Sequence, residues 1–179
     1  MIDTSDLRRS ARWLAGLVVV LQGALALGLL ALLAWLANAP LAAGGWLAGA
    51  VGYPPGDGMQ VWQAVALTGI AAVQLGLWIG VAGEMRGIFR ALAWGDPTGA
   101  ALAARRMARL LWIVLAWDIV GHAAATGLAS WHYPDGTRAI GISLGSSQLS
   151  TALAALLAAF TARALALGAE LWRDHREVI

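Results

Sequence analysis

Residues Trp13–Ala37 spell WLAGLVVVLQGALALGLLALLAWLA, without a single charged side chain. At about 1.5 Å of rise per residue, such a helix is longer than the ~30 Å hydrocarbon core of a bilayer. A helix that is apolar all round has no use for water on any face, so the stretch is a transmembrane span. The same argument extends to Val61–Ala82, to Met107–Ser130 with Asp118 and His122 inside it, and to Gln148–Leu167 with Arg163 near its end. The predicted fold class is therefore all-α: an integral-membrane four-helix bundle forming one domain over residues 1–179.

Composition agrees with that solvent. Of the 179 residues, 60% are hydrophobic and 12% charged, against about a quarter charged in ordinary soluble domains, and mean hydropathy is +0.70. All 12 basic residues are Arg, yet the net charge is only +2. Because these Arg residues flank apolar segments, they suit lipid head groups and give no reason to expect nucleic acid. With no Cys, disulfides and thiolate chemistry are excluded.

Basic residues are retained on the cytoplasmic side of spans. One set of chain ends and connections holds Arg8, Arg9, Arg12, Arg86, Arg90, Arg105, Arg106, Arg109, Arg163, Arg173 and Arg176, while the other holds only Arg138. Both termini and the connection Glu84–Arg106 are therefore expected in the cytoplasm, with Asn38–Gln60 and Trp131–Ser147 outside. A cleaved signal peptide is the competing reading of the N-terminus, but its apolar region of 7–15 residues is far shorter than Trp13–Ala37.

Asn38-Ala39-Pro40 ends the first span, and Gly44-Gly45 and Tyr53-Pro54-Pro55-Gly56 mark the next connection as rich in breakers. Leu41, Trp46, Leu47 and Val51 make part of it apolar enough for the outer interface. Tyr133-Pro134-Asp135-Gly136 is a turn signal, and Thr137–Ser143 has strand character, so a short β-hairpin is expected outside. On the inner side Met85, Ile88, Phe89 and Leu92 recur at helical spacing while Arg86 and Arg90 share another face. This predicts an amphipathic interfacial helix, with Arg86, Ile88, Phe89 and Arg90 as a surface for a partner. Gly95 ends it, Asp96 serves as N-cap, and Pro97 opens the next helix.

Asp118 and His122 lie four apart near the middle of a span. Ionisable groups at that depth face the bundle interior, a partner or a water-filled cavity. They either satisfy each other or Gln74 and fix helix packing, or handle protons or ions. The other His residues, His132 and His175, are assigned to opposite sides of the membrane, so no metal set assembles and no cofactor is expected; His122 alone leaves room for a single pigment or haem ligand. Arg163 can snorkel to the head groups, with Glu84 as an ion-pair partner. Glycines such as Gly76 and Gly80 are read as packing, and most of the ten Trp residues as an interfacial belt. No residues form a nucleophile with a base, a phosphate loop or an acidic pair, so an enzyme is not expected.

The run Ile88-Phe89-Arg90-Ala91-Leu92 through Gly95-Asp96 into Arg105-Arg106-Met107-Ala108-Arg109-Leu110 resembles the bacterial DUF2975 family of four-helix membrane proteins, whose function is uncharacterised. Ile142-Ser143-Leu144-Gly145-Ser146, Gly168-Ala169-Glu170-Leu171 and the closing Glu177-Val178-Ile179 extend the resemblance over about the last half of the chain. Pro97-Thr98 departs from it, since an aromatic residue is expected after the Gly-Asp turn. The resemblance implies a sensory or regulatory membrane partner, because members are often encoded beside a small helix-turn-helix regulator; it supplies no catalytic residues. The expectation is a non-enzymatic, multi-pass protein of the bacterial cytoplasmic membrane acting through contacts, as an accessory subunit or a signalling partner, with a membrane protein or a second copy as partner. The alternatives are a small oligomeric transporter or proton-handling protein using Asp118 and His122, and an accessory subunit of a pigment or redox assembly.

Overall fold

The computed structural model of the chain describes residues 4–53, 58–131, 140–142 and 144–177, with side chains omitted for 4–8 and 171–177. Five helices follow one another: α1 Thr4–Asn38, α2 Pro40–Ala50, α3 Val61–Trp94, α4 Pro97–Ser130 and α5 Ser146–Glu177. Four of them, α1, α3, α4 and α5, are long and apolar enough to cross a membrane. The chain is thus an all-helical membrane protein, and no strand occurs among the described residues. The expected hairpin falls mostly on residues 132–139 and 143, outside the described residues, while Ile140–Ile142 form no strand.

The chain divides into two compact units, one of Met1–Ala24, Ile79–Ile113 and Ser150–Ile179, the other of Leu25–Trp78 and Val114–Leu149. In the first, Ile88 is buried with Ala100, Ala103, Ala104 and Ala162, and Ala91, Leu92, Met107 and Leu165 pack around them. Small side chains on α4 and α5 let Ile88 of α3 fill the space between backbones, as membrane helices require where no hydrophobic drive from water exists. The run around Ile88, expected as an amphipathic extension of the second span, is the last part of α3, and Ile88 itself is in the core. Ile88, Ala91 and Leu92 pack against α4 and α5, while Met85 is exposed and Phe89 half-buried.

The turn from α3 to α4 is as tight as a helical hairpin allows. The N–H of Gly95 donates to Leu92 O at 3.1 Å and that of Asp96 to Ala91 O at 2.9 Å, with Gly95 at φ 71°. This pair of bonds is the Schellman ending, which needs a left-handed residue. Asp96 then caps α4 through Oδ1, which accepts the Gly99 N–H at 2.9 Å. One residue closes α3 and opens α4, as the order Gly95-Asp96-Pro97 predicts.

In the second unit the breaker-rich connection contains a helix the sequence reading does not anticipate. Pro40 sits at the start of α2, where its missing N–H costs nothing. Gly44 and Gly45 are buried, and a Cβ on Gly44 would stand 2.5 Å from Ala64 Cβ and 2.7 Å from Ala64 Cα. Gly44 brings α2 against α3, and neither glycine breaks the helix. The rings of Trp35, before Ala39, and Trp46, after it, meet with centroids 5.9 Å apart, so α2 folds back toward α1. Ala48 joins Leu67, Ala125 and Ala129 in the core of this unit, and Gly52, at φ 90°, turns the chain after α2.

Candidate functional site

Both α3 and α5 open with the same device. Gln63, three residues into α3, accepts the Gln60 N–H at 2.7 Å, and Gln148, three residues beyond Gly145, accepts the Gly145 N–H at 2.8 Å. This is the glutamine half of a capping box. Each amide then has an NH2 to spare, and each spends it on α4. Gln63 Nε2 donates to Leu128 O at 3.2 Å, and Gln148 Nε2 donates to Asp118 Oδ2 in a short contact. Gln63 is buried to 1% exposure with both ends of its amide satisfied, so it is a structural tie.

The Gln148–Asp118 bond fixes where α5 begins. Asp118 lies twelve residues before the Ser130 end of α4, about 18 Å along the helix. On the way to that depth, Gly141 lies against α4. Gly141 N–H donates to Thr126 Oγ1 at 2.8 Å, while the Thr126 hydroxyl can donate to His122 O or Ala123 O, each at 3.0 Å. A Cβ on Gly141 would come within 3.3 Å of Thr126 Cγ2, so glycine suits the approach. The alternate residues Ile140, Ile142 and Leu144 turn away, with exposures of 76%, 68% and 76%.

Asp118 is thus paired with Gln148, and no hydrogen bond among the described residues joins it to His122 or Gln74. The three expected polar residues nevertheless meet. Gln74, Asp118 and His122 line one cavity of about 170 Å³, walled by Leu47 and Val51 of α2, Leu67 and Ile70 of α3, and Trp117 and Gly121 of α4. Trp117 Nε1 donates to Ile70 O at 3.3 Å, which occupies the indole. Gln74 Oε1, by contrast, is buried and has no hydrogen-bond partner. The cavity therefore offers a carboxylate and a free amide oxygen, both acceptors, beside an imidazole. Its chemistry suits a small hydrogen-bond donor or a cation. At about 170 Å³ it is well below the roughly 300–1,000 Å³ of ordinary ligand pockets, so a porphyrin-sized pigment on His122 does not fit inside it. No group of three His, Asp or Glu residues fit to hold a metal occurs among the described residues. Thr68 Oγ1 is a second buried oxygen without a partner, and it does not line the cavity.

In the other unit Arg86 and Phe89 are half-buried, Arg90 is exposed and Ile88 is in the core. Glu84 is half-buried on α3, and no ion pair among the described residues joins it to Arg163. Arg163 is exposed and faces a groove shared with Arg105, Arg109 and Glu170. Sequence reasoning missed Gln148 as the partner of Asp118. The Gly145-x-x-Gln148 spacing carries the cap, but nothing in it reveals how deep α5 starts.

Compared with known protein families, curated proteins and solved structures, the chain matches none of them.

Proposed function

We propose that the protein is a non-enzymatic, multi-pass protein of the bacterial cytoplasmic membrane, with both termini inside, that acts through contact with another membrane protein as an accessory or regulatory subunit. The observation that carries this reading is the exposure of Ile140, Ile142 and Leu144. The ~20 residues needed to cross the hydrocarbon fit Leu110–Ser130, since Arg109 precedes them and only Asp118 among them is charged. Gly141 lies beside Thr126 and Gln148 reaches Asp118, so Ile142 and Leu144 between them lie within that layer. Among the described residues no hydrogen bond engages the backbone of Ile142 or Leu144. Non-helical backbone at membrane depth is tolerated against protein or a water-filled cavity and not against lipid. Three apolar side chains pointing outward argue against water, which leaves a protein cover. The resemblance to the DUF2975 family, with its implied regulatory partner, points the same way by analogy.

A photo-reactive amino acid at Ile142, in a tagged chain irradiated in its native membrane, tests this. A single stoichiometric adduct with another protein or a second copy is expected, and the same partner should co-purify in mild detergent. Exclusive labelling of lipid would refute the reading.

A second reading is favoured by the free Gln74 oxygen: proton or small-cation handling at the cavity with Asp118 and His122. Reconstituted vesicles should then show a flux that Asp118→Asn abolishes. Absence of flux, or flux unchanged by that substitution, would exclude it.

A further inference from the structure

The α4–α5 groove in the first unit has a charge pattern that neither hydrocarbon nor water explains. Its cavity of about 580 Å³ is lined by Arg105, Arg109 and Trp112 of α4 and by Ala159, Ala162, Arg163, Ala166 and Glu170 of α5, among others. Arg105 and Arg109 lie one helical turn apart on one face of α4, and Arg163 reaches the same groove from α5. Three arginines and one glutamate thus share the groove, and among the described residues none of the three arginines is in an ion pair. Arg106, the immediate neighbour of Arg105, does not line the groove. The clustering is therefore a property of this face and not of the Arg-rich stretch as a whole.

The remaining walls are of a different character. Ala108, Ala159, Ala162 and Ala166 form a floor without polar side chains, and Trp112 stands on the side of the arginines that continues into the apolar span. Charged above and apolar below, the groove has the two-part character of a lipid anchored by its head group. Its volume lies within the range of about 300–1,000 Å³ occupied by bound small molecules. Basic pockets between transmembrane helices hold anionic head groups in this way, and guanidinium forks match phosphate oxygens in pairs.

We propose that this groove is a binding site for an anionic phospholipid, its phosphate held by Arg105, Arg109 and Arg163 and an acyl chain lying along Trp112 and the alanine floor. Glu170 at the rim weakens the site for anions and prevents it from holding phosphate indiscriminately. The inference rests on the membrane-spanning reading and is independent of the partner reading.

Native mass spectrometry of the whole chain in detergent, titrated with dioleoylphosphatidylglycerol, dioleoylphosphatidylcholine or inorganic phosphate, tests it. Phosphatidylglycerol is expected to bind at one site, with R105Q, R109Q or R163Q each weakening it roughly fivefold and the triple variant about 100-fold. R106Q should leave binding unchanged and E170Q should tighten it, so the conclusion does not depend on the triple variant folding. Equal retention of phosphatidylcholine, competition by inorganic phosphate at equal concentration, or an R106Q effect as large as that of R105Q would overturn the site. Extraction of the chain from membranes by alkaline carbonate would instead refute the spanning reading on which it rests.

Discussion

The return of α2 toward α1 and onto α3 is decided at one atom pair, and Gly44→Ala tests it. The new Cβ would stand 2.5 Å from Ala64 Cβ, 2.7 Å from Ala64 Cα and 3.1 Å from Met59 Sδ. Met59 is a flexible thioether and can move. Ala64 is fully buried near the start of α3, so relief there requires the two helices to separate. Overpacking of this kind costs about 1–3 kcal/mol, offset by the ~0.5–1 kcal/mol that Ala gains over Gly within a helix. The net loss is up to about 2.5 kcal/mol, or up to roughly 10 °C in Tm for a chain of this length. Gly28→Ala supplies the reference, because a Cβ there meets nothing within 4 Å. It should raise Tm by roughly 1–4 °C through helix propensity alone. Thermal unfolding of both variants in one detergent, followed by Trp fluorescence, isolates the steric contribution as their difference. If Gly44→Ala unfolds at or above the temperature of Gly28→Ala, α2 does not rest on α3 through this glycine.

Three further outcomes follow from the hydrogen bonds. Asp96→Ala removes the cap of α4, whose Oδ1 accepts the Gly99 N–H, and should destabilise the chain by about 1 kcal/mol; the same melting assay measures it. Gln148→Ala strips Asp118 of its partner and should cost about 1–3 kcal/mol, whereas Asp118→Asn keeps an oxygen for the same amide and should cost less, an order that chemical denaturation in mixed micelles can check. Gln74→Leu removes a buried oxygen with no partner, so stability should hold or rise, while any flux attributed to the cavity should fall; loss of stability without change in flux would assign Gln74 to packing.

Much of this architecture is legible in the chain because it is local. The four spans follow from uninterrupted apolar length, and the α3–α4 hairpin from Gly95-Asp96-Pro97, where each residue has one conformational task. What was not legible depends on depth. Gly44-Gly45 signals a break in water and a close approach in a helix pair, and only the presence of Ala64 opposite decides between them. Likewise the helical spacing of Ile88 and Phe89 is the same whether the face meets head groups or the alanines of α4 and α5. Periodicity reports that a face is apolar and not what covers it.

The pairing of Asp118 shows the same limit with a functional consequence. From spacing alone, His122 one turn away is the natural partner. The structure supplies a better one, because α5 begins far below the end of α4 and its capping glutamine has an NH2 to give. Satisfying Asp118 in this way leaves His122 and the Gln74 oxygen in the cavity without that carboxylate's full attention. A buried acceptor without a donor is costly unless water or a ligand completes it, so the oxygen of Gln74, more than the Asp118–His122 spacing, is the feature that any role for this cavity must use.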